Sequence, residues 1–147
     1  MIRYEDWECV TKFEESVAQY AGSKYAVAMD CCTHSIFLCL QYLKFHDLLA
    51  SDVIEVPKYT YISVPSMIVN AGLKIKFTDE KWVGRYQLKP TVIVDAAHRF
   101  TKDMYEPGTY YCLSFATKKR LKIGKGGMIL TDDKDAVEWL QQARYVH

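Results

Sequence analysis

Five short runs of mostly apolar residues recur along this chain: Tyr25 to Met29, Val53 to Val56, Thr91 to Val94, Tyr110 to Leu113 and Gly127 to Thr131. Runs of four or five such residues without polar alternation suit strands covered on both faces. Between them lie helix-patterned segments. Apolar residues at 10, 13, 17 and 20 predict a helix from Cys9 to Tyr20, ended by Ala21-Gly22. Thr33 can cap a second helix to about Phe45, with Ile36, Phe37, Leu40 and Leu43 as its core face. A third is expected from about Val64 to Ala71, closed by Gly72 and followed by a strand from Leu73 to Phe77. Asp132 or Asp133 caps a final helix to about Tyr145. Lys81 to Pro90 reads as a loop. The alternation predicts an α/β, three-layer sandwich with a mainly parallel central sheet, with residues 1–147 as one unit.

Composition narrows the function. Half the residues are hydrophobic and 14% are aromatic, enough for a packed core. A net charge of +1 gives no electrostatic case for nucleic acid or an anionic membrane. Met1 to Asp6 does not read as a signal peptide, and charges interrupt every long apolar stretch. Five cysteines, an odd number with no repeated Cys-x-x-Cys, argue against a disulfide framework or a zinc site. A cytoplasmic setting is expected.

In open α/β sheets ligands bind beyond the carboxyl ends of the strands, where this chain gathers its polar residues. After the first strand, Asp30-Cys31-Cys32-Thr33-His34-Ser35 runs into a helix, a junction suited to an anion. Pro57-Lys58-Tyr59-Thr60-Tyr61 offers an aromatic face, and Asp95-Ala96-Ala97-His98 a carboxylate backed by small residues. Ser114 follows another strand, with Lys119 five residues on and Gly124-Lys125-Gly126-Gly127 just beyond. A lysine there could form a Schiff base with a carbonyl cofactor, while the serine binds its phosphate. Each residue alone has an ordinary structural reading: Thr33 as a cap, Tyr61 as core, Asp95 as a turn residue, Lys119 as a solvated surface. Together they make up the parts needed to hold pyridoxal phosphate.

From Phe13 to the C-terminus the chain resembles the DegT/DnrJ/EryC1/StrS sugar aminotransferases, fold type I pyridoxal phosphate enzymes. Phe13-Glu14-Glu15 through Tyr20-Ala21-Gly22-Ser23-Lys24-Tyr25 resembles the family's opening helix and first strand. Cys31-Cys32-Thr33 stands at its Ser-Gly-Thr phosphate turn, and Asp52 to Pro57 with Thr60-Tyr61 at its second strand and ring-stacking aromatic. Asp95-Ala96-Ala97-His98, Ser114-Phe115, Lys119 and Gly124 to Gly127 match later signatures.

The resemblance implies the large domain of such a transferase, pyridoxal 5'-phosphate as cofactor, and Lys119 as its Schiff-base lysine, with Lys118 the runner-up. It implies Asp95 as partner of the pyridine nitrogen, Tyr61 stacked on the ring and His98 near the ring or its phenolic oxygen. Thr33, the His34 backbone N–H and Ser114 would hold the phosphate. An amino donor and a keto-sugar nucleotide acceptor are the implied substrates, and a homodimer or higher homo-oligomer the implied unit. Arg144, His147 and the loop Lys81 to Lys89 are candidates for reaching across such an interface.

Departures are visible too. Cys32 puts a side chain where the family's glycine lets backbone approach an anion. Lys125 reverses a charge, and the segment between Phe77 and Thr91 lacks a strand and a helix. The family's C-terminal small domain is expected to be absent. The other reading is a non-catalytic remnant of the fold, or a structural subunit of an oligomer.

Overall fold

The computed structural model describes residues 7–144. In chain order these form α1 (Glu8–Ala21), β1 (Tyr25–Met29), α2 (Cys32–Phe45), β2 (Val53–Pro57), α3 (Ser63–Asn70) and β3 (Lys74–Thr78). Then follow β4 (Tyr86–Gln87), β5 (Ile93–Asp95), β6 (Tyr110–Ser114), β7 (Gly127–Thr131) and α4 (Lys134–Ala143). Five strands make one sheet in the order β1-β7-β6-β5-β4, and β2 pairs with β3 in a second.

The unbroken apolar runs of β6 and β7 are strands covered on both sides, as their composition requires. Along β6, Tyr110 and Cys112 enter one hydrophobic cluster, while Tyr111 and Leu113 enter another. Ile129 of β7 joins the first cluster, and Met128 and Leu130 the second. The first cluster takes in Ile36, Leu40 and Leu43 of α2, Ile68 of α3 and Leu140 of α4. The second takes in Val17, Ala18 and Ala21 of α1 together with Met104. Three layers result. No helix among the described residues is long and apolar enough to cross a membrane.

The expectation of a mainly parallel sheet needs correction, because the central sheet is mixed. β1, β5 and β6 share one direction; β7 runs against β1 and β6, and β4 against β5. The connection explains the reversal of β5 against β4: 88–92 is a tight turn in which Thr91 N donates to Leu88 O, whereas the helix-free links 96–109 and 115–126 lead to a parallel and an antiparallel neighbour. A return to a parallel neighbour needs a crossover, usually helical.

Smaller corrections follow from local chemistry. Cys31, extended at φ −164° and ψ 163°, is the N-cap of α2 in place of Thr33, whose hydroxyl instead meets Ser63 Oγ at 2.9 Å. Asp133 caps α4 by accepting from Ala136 N, while Asp132 accepts from Tyr105 Oη and Gly108 N. The expected loop from Lys81 to Pro90 contains β4, and β5 starts at Ile93. Helix α4 ends at Ala143 with Arg144 as its C-cap; the expected end at Tyr145, and His147, lie outside the described residues.

A buried ion pair ties the two ends together. Glu14 of α1 accepts from Ala28 N at 2.7 Å and pairs with Arg144, which also donates to Ala28 O at 3.0 Å. The two side chains are only 8% and 12% exposed.

Candidate active site

The carboxyl ends of β1, β5 and β6 lie at the same end of the sheet, because these strands share a direction; β5 and β6 are neighbours, and β7 stands between β6 and β1. Asp95 ends β5, is 7% exposed, and has both carboxylate oxygens engaged. Oδ1 accepts from Ala97 N at 2.9 Å, and Oδ2 accepts from Tyr86 Oη at 2.9 Å. Burial pushes its carboxyl above the usual range, opposed by these bonds and by the charges of Lys119 and His98. Tyr86 is directly opposite Asp95 in the β4–β5 pair, and Thr60 Oγ1 lies 2.5 Å from its hydroxyl. Burial, then the Asp95 charge, raises the Tyr86 phenol, so it stays a donor.

Lys119 is carried by the link after β6. Phe115 is 1% exposed and packs edge-on against Phe13 at 5.4 Å. Its carbonyl accepts from Ile123 N and Gly124 N, folding the loop back on itself, and Lys119 N donates to Ala116 O in the turn. From there Lys119 Nζ reaches His98 Nε2 at 2.9 Å. Burial first, and then the Lys119 charge, lower the His98 pKa and favour the neutral ring; in the tautomer protonated at Nδ1, Nε2 accepts from the lysine N–H. Both residues line a cavity of about 700 Å³ with Trp82, Val83, Gly84, Lys118, Arg120 and Lys122. Lys118 shares the cavity, but the imidazole contact belongs to Lys119.

The turn at the head of α2 is held against the start of β7. Cys31 bridges Gly126, and a Cβ on Gly127 would come within 2.5 Å of the Cys31 carbonyl carbon. Cys32 sends its thiol inward, 3.4 Å from Cys112 O and 3.9 Å from Asp95 Oδ1. The side chain expected to crowd an anion therefore sits in the core, and burial raises its thiol well above the ordinary range.

The other expected residues are more dispersed. His34 holds Asp30 through Nδ1 at 2.8 Å on an exposed face, and its backbone N–H points to Cys31 Sγ at 3.5 Å. Ser114 is half-buried opposite Gly127. Tyr61 is 74% exposed and lies outside the Lys119 cavity. Sequence reasoning missed Trp82, Tyr86 and Ser63. A tryptophan and a tyrosine inside a polar loop carried no periodic signal, and only strand pairing brings Tyr86 to Asp95.

The family model for the DegT/DnrJ/EryC1/StrS aminotransferase family matches residues 4–104. An uncharacterized protein of Methanocaldococcus jannaschii is 27% identical over 177 residues, covering 90% of this chain and 45% of that protein. That alignment is longer than the whole chain, so the relative carries segments absent here. An aminotransferase structure from Psychrobacter cryohalolentis superposes with a TM-score of 0.66 at 23% identity, covering 92% of this chain and 44% of that one. GDP-4-keto-6-deoxymannose-3-dehydratase with bound GDP-perosamine gives 0.70 at 18%, covering 90% and 46%. The chain thus spans less than half the length of each of these proteins. The cofactor that these similarities imply is pyridoxal 5'-phosphate. The donor set suits it: a buried carboxylate, an amine beside an imidazole, and two hydroxyls at the heads of α2 and α3. With the family model matching two thirds of its length and the fold shared with solved aminotransferases, this chain belongs to the DegT/DnrJ/EryC1/StrS aminotransferase family.

Proposed function

We propose that the chain holds pyridoxal phosphate on Lys119 and takes part in amino transfer to a keto-sugar nucleotide. The observation that carries this is the Lys119–His98 pair within electrostatic reach of buried Asp95, at the carboxyl ends of neighbouring parallel strands. The bound GDP-perosamine of the dehydratase supports a nucleotide sugar as acceptor. An amino donor and a second copy of the chain complete the expected partners.

When bound, the cofactor supplies a carbonyl for amine exchange and a ring that withdraws electrons. Lys119 provides the amine that attaches it, and His98 Nε2 is placed to take or return a proton at Lys119 Nζ. Asp95 offers negative charge to the ring nitrogen, with Tyr86 and Ala97 fixing its orientation. Thr33, the His34 N–H and Ser114 are assigned to the phosphate, and Tyr61 to the aromatic face after β2.

Treatment with pyridoxal phosphate, borohydride reduction and peptide mapping tests this reading. The pyridoxyl label should fall on Lys119. A label on Lys118, or none, would overturn it.

Asp95→Asn provides a second check. The amide keeps an acceptor for Tyr86 or Ala97 but lacks the charge, so the fold should persist. Cofactor affinity should fall about ten- to a hundredfold, the worth of a charged hydrogen bond. Unchanged affinity in an equilibrium titration would mean that Asp95 only ends a strand.

A further inference from the structure

We propose that Trp82 is the side chain that packs on the cofactor ring, the role that family resemblance gives to Tyr61. The inference rests on the cofactor reading above. Trp82 is fixed in place: its indole N–H donates to Tyr59 O at 2.9 Å, and its ring lies 4.9 Å from that of Tyr86 at 54°. The His98 ring is also close, 6.1 Å away and tilted by 47°. Each neighbour is tied to one end of the proposed site, Tyr86 to the Asp95 carboxylate and His98 to the Lys119 amine. A flat ring engaged by both Asp95 and Lys119 would meet both pairs, and Trp82 is in ring contact with one member of each. It lines the cavity shared with His98 and Lys119, from which Tyr61 is absent.

The local sequence explains the exchange. Between β3 and β5 the chain has only the two-residue β4, where relatives of the family are expected to have a further strand and helix. The short segment brings Trp82 in beside Tyr86. Indole offers the largest aromatic face among the side chains, and such contacts favour offset or tilted stacking.

The test compares Trp82→Leu, Trp82→Phe and Tyr61→Leu in equilibrium titrations with pyridoxal phosphate. Trp82→Leu should bind about tenfold more weakly, with Trp82→Phe and Tyr61→Leu within about threefold of the parent. At saturating cofactor, Trp82→Leu should still take the borohydride label on Lys119, because the amine is untouched. A second measurement leaves Trp82 in place: Trp7 and Trp139 are both replaced by phenylalanine. The remaining tryptophan fluorescence should then be quenched as the cofactor binds, with the midpoint of the titration.

Parent protein that is labelled on Lys119, with Trp82→Leu binding equally well or Tyr61→Leu losing as much, overturns this inference alone. Unquenched Trp82 fluorescence in labelled protein does the same. Parent protein that takes no label overturns the cofactor reading and this inference with it.

Discussion

Gly127→Ala is expected to cost at least about 3 kcal/mol, more than an ordinary overpacked core site. The added Cβ would lie 2.5 Å from the Cys31 carbonyl carbon, 2.6 Å from Cys32 N and 2.8 Å from Cys31 O. All three are backbone atoms, so no rotamer change relieves the clash. Either β7 leaves its pairing with β1 and β6, or the turn before α2 moves off the sheet. The first loses two ladders; the second displaces the turn assigned to the cofactor phosphate. Urea unfolding should show the lower midpoint, and cofactor titration under native conditions should show no saturable binding. A parental midpoint with parental affinity would show that the turn yields freely.

Glu14→Ala should destabilise the fold by about 3–5 kcal/mol, the usual effect of removing one partner from a buried ion pair. The substitution takes away the carboxylate facing Arg144 and the acceptor of Ala28 N–H. Since Glu14 and Arg144 join α1 and the end of α4 to the main chain of β1 at Ala28, the loss should fall on all three. Glu14→Gln, which keeps an acceptor for Ala28 N, should cost less. Pairing Glu14→Met with Arg144→Met should recover much of the stability, because no buried charge is then left without its partner. Thermal unfolding of the four proteins checks the order. Equal midpoints for parent and Glu14→Ala would mean that solvent reaches Arg144 freely.

The fold was legible where burial on both faces wrote itself into composition. Tyr25–Met29, Tyr110–Leu113 and Gly127–Thr131 were expected as strands and are strands, the second extending to Ser114. Direction was not legible, since the same apolar run serves a parallel or an antiparallel neighbour. The short 88–92 link held that information for β4 and β5, but the helix-free links 96–109 and 115–126 lead to a parallel and an antiparallel neighbour respectively, so link composition did not decide the rest. Asp95, His98 and Lys119 stood out because each follows a strand, and the structure brings them to one region. Trp82 and Tyr86 could not be found the same way. Their place depends on a two-residue strand that carries no pattern, and on a pairing partner nine residues further along. Thr33 illustrates the opposite failure: a good capping residue passed over because the backbone had already turned at Cys31.

The chain from Thr60 through Tyr86 to Asp95 has a direction as well as a geometry. An ionised carboxylate can only accept, so Tyr86 must give it the phenolic proton, and Thr60 must then give its own proton to the phenol oxygen. The charge on β5 therefore orients a hydroxyl dipole on the segment after β2. If Asp95 took up a proton, both donors would be released to turn round, and the threonine hydroxyl would be free to seek another acceptor. Two strands that share no ladder are thereby linked through the sense of two hydrogen bonds. The loop that carries Tyr59 and Tyr61 is polarised by whatever neutralises the carboxylate at the other end.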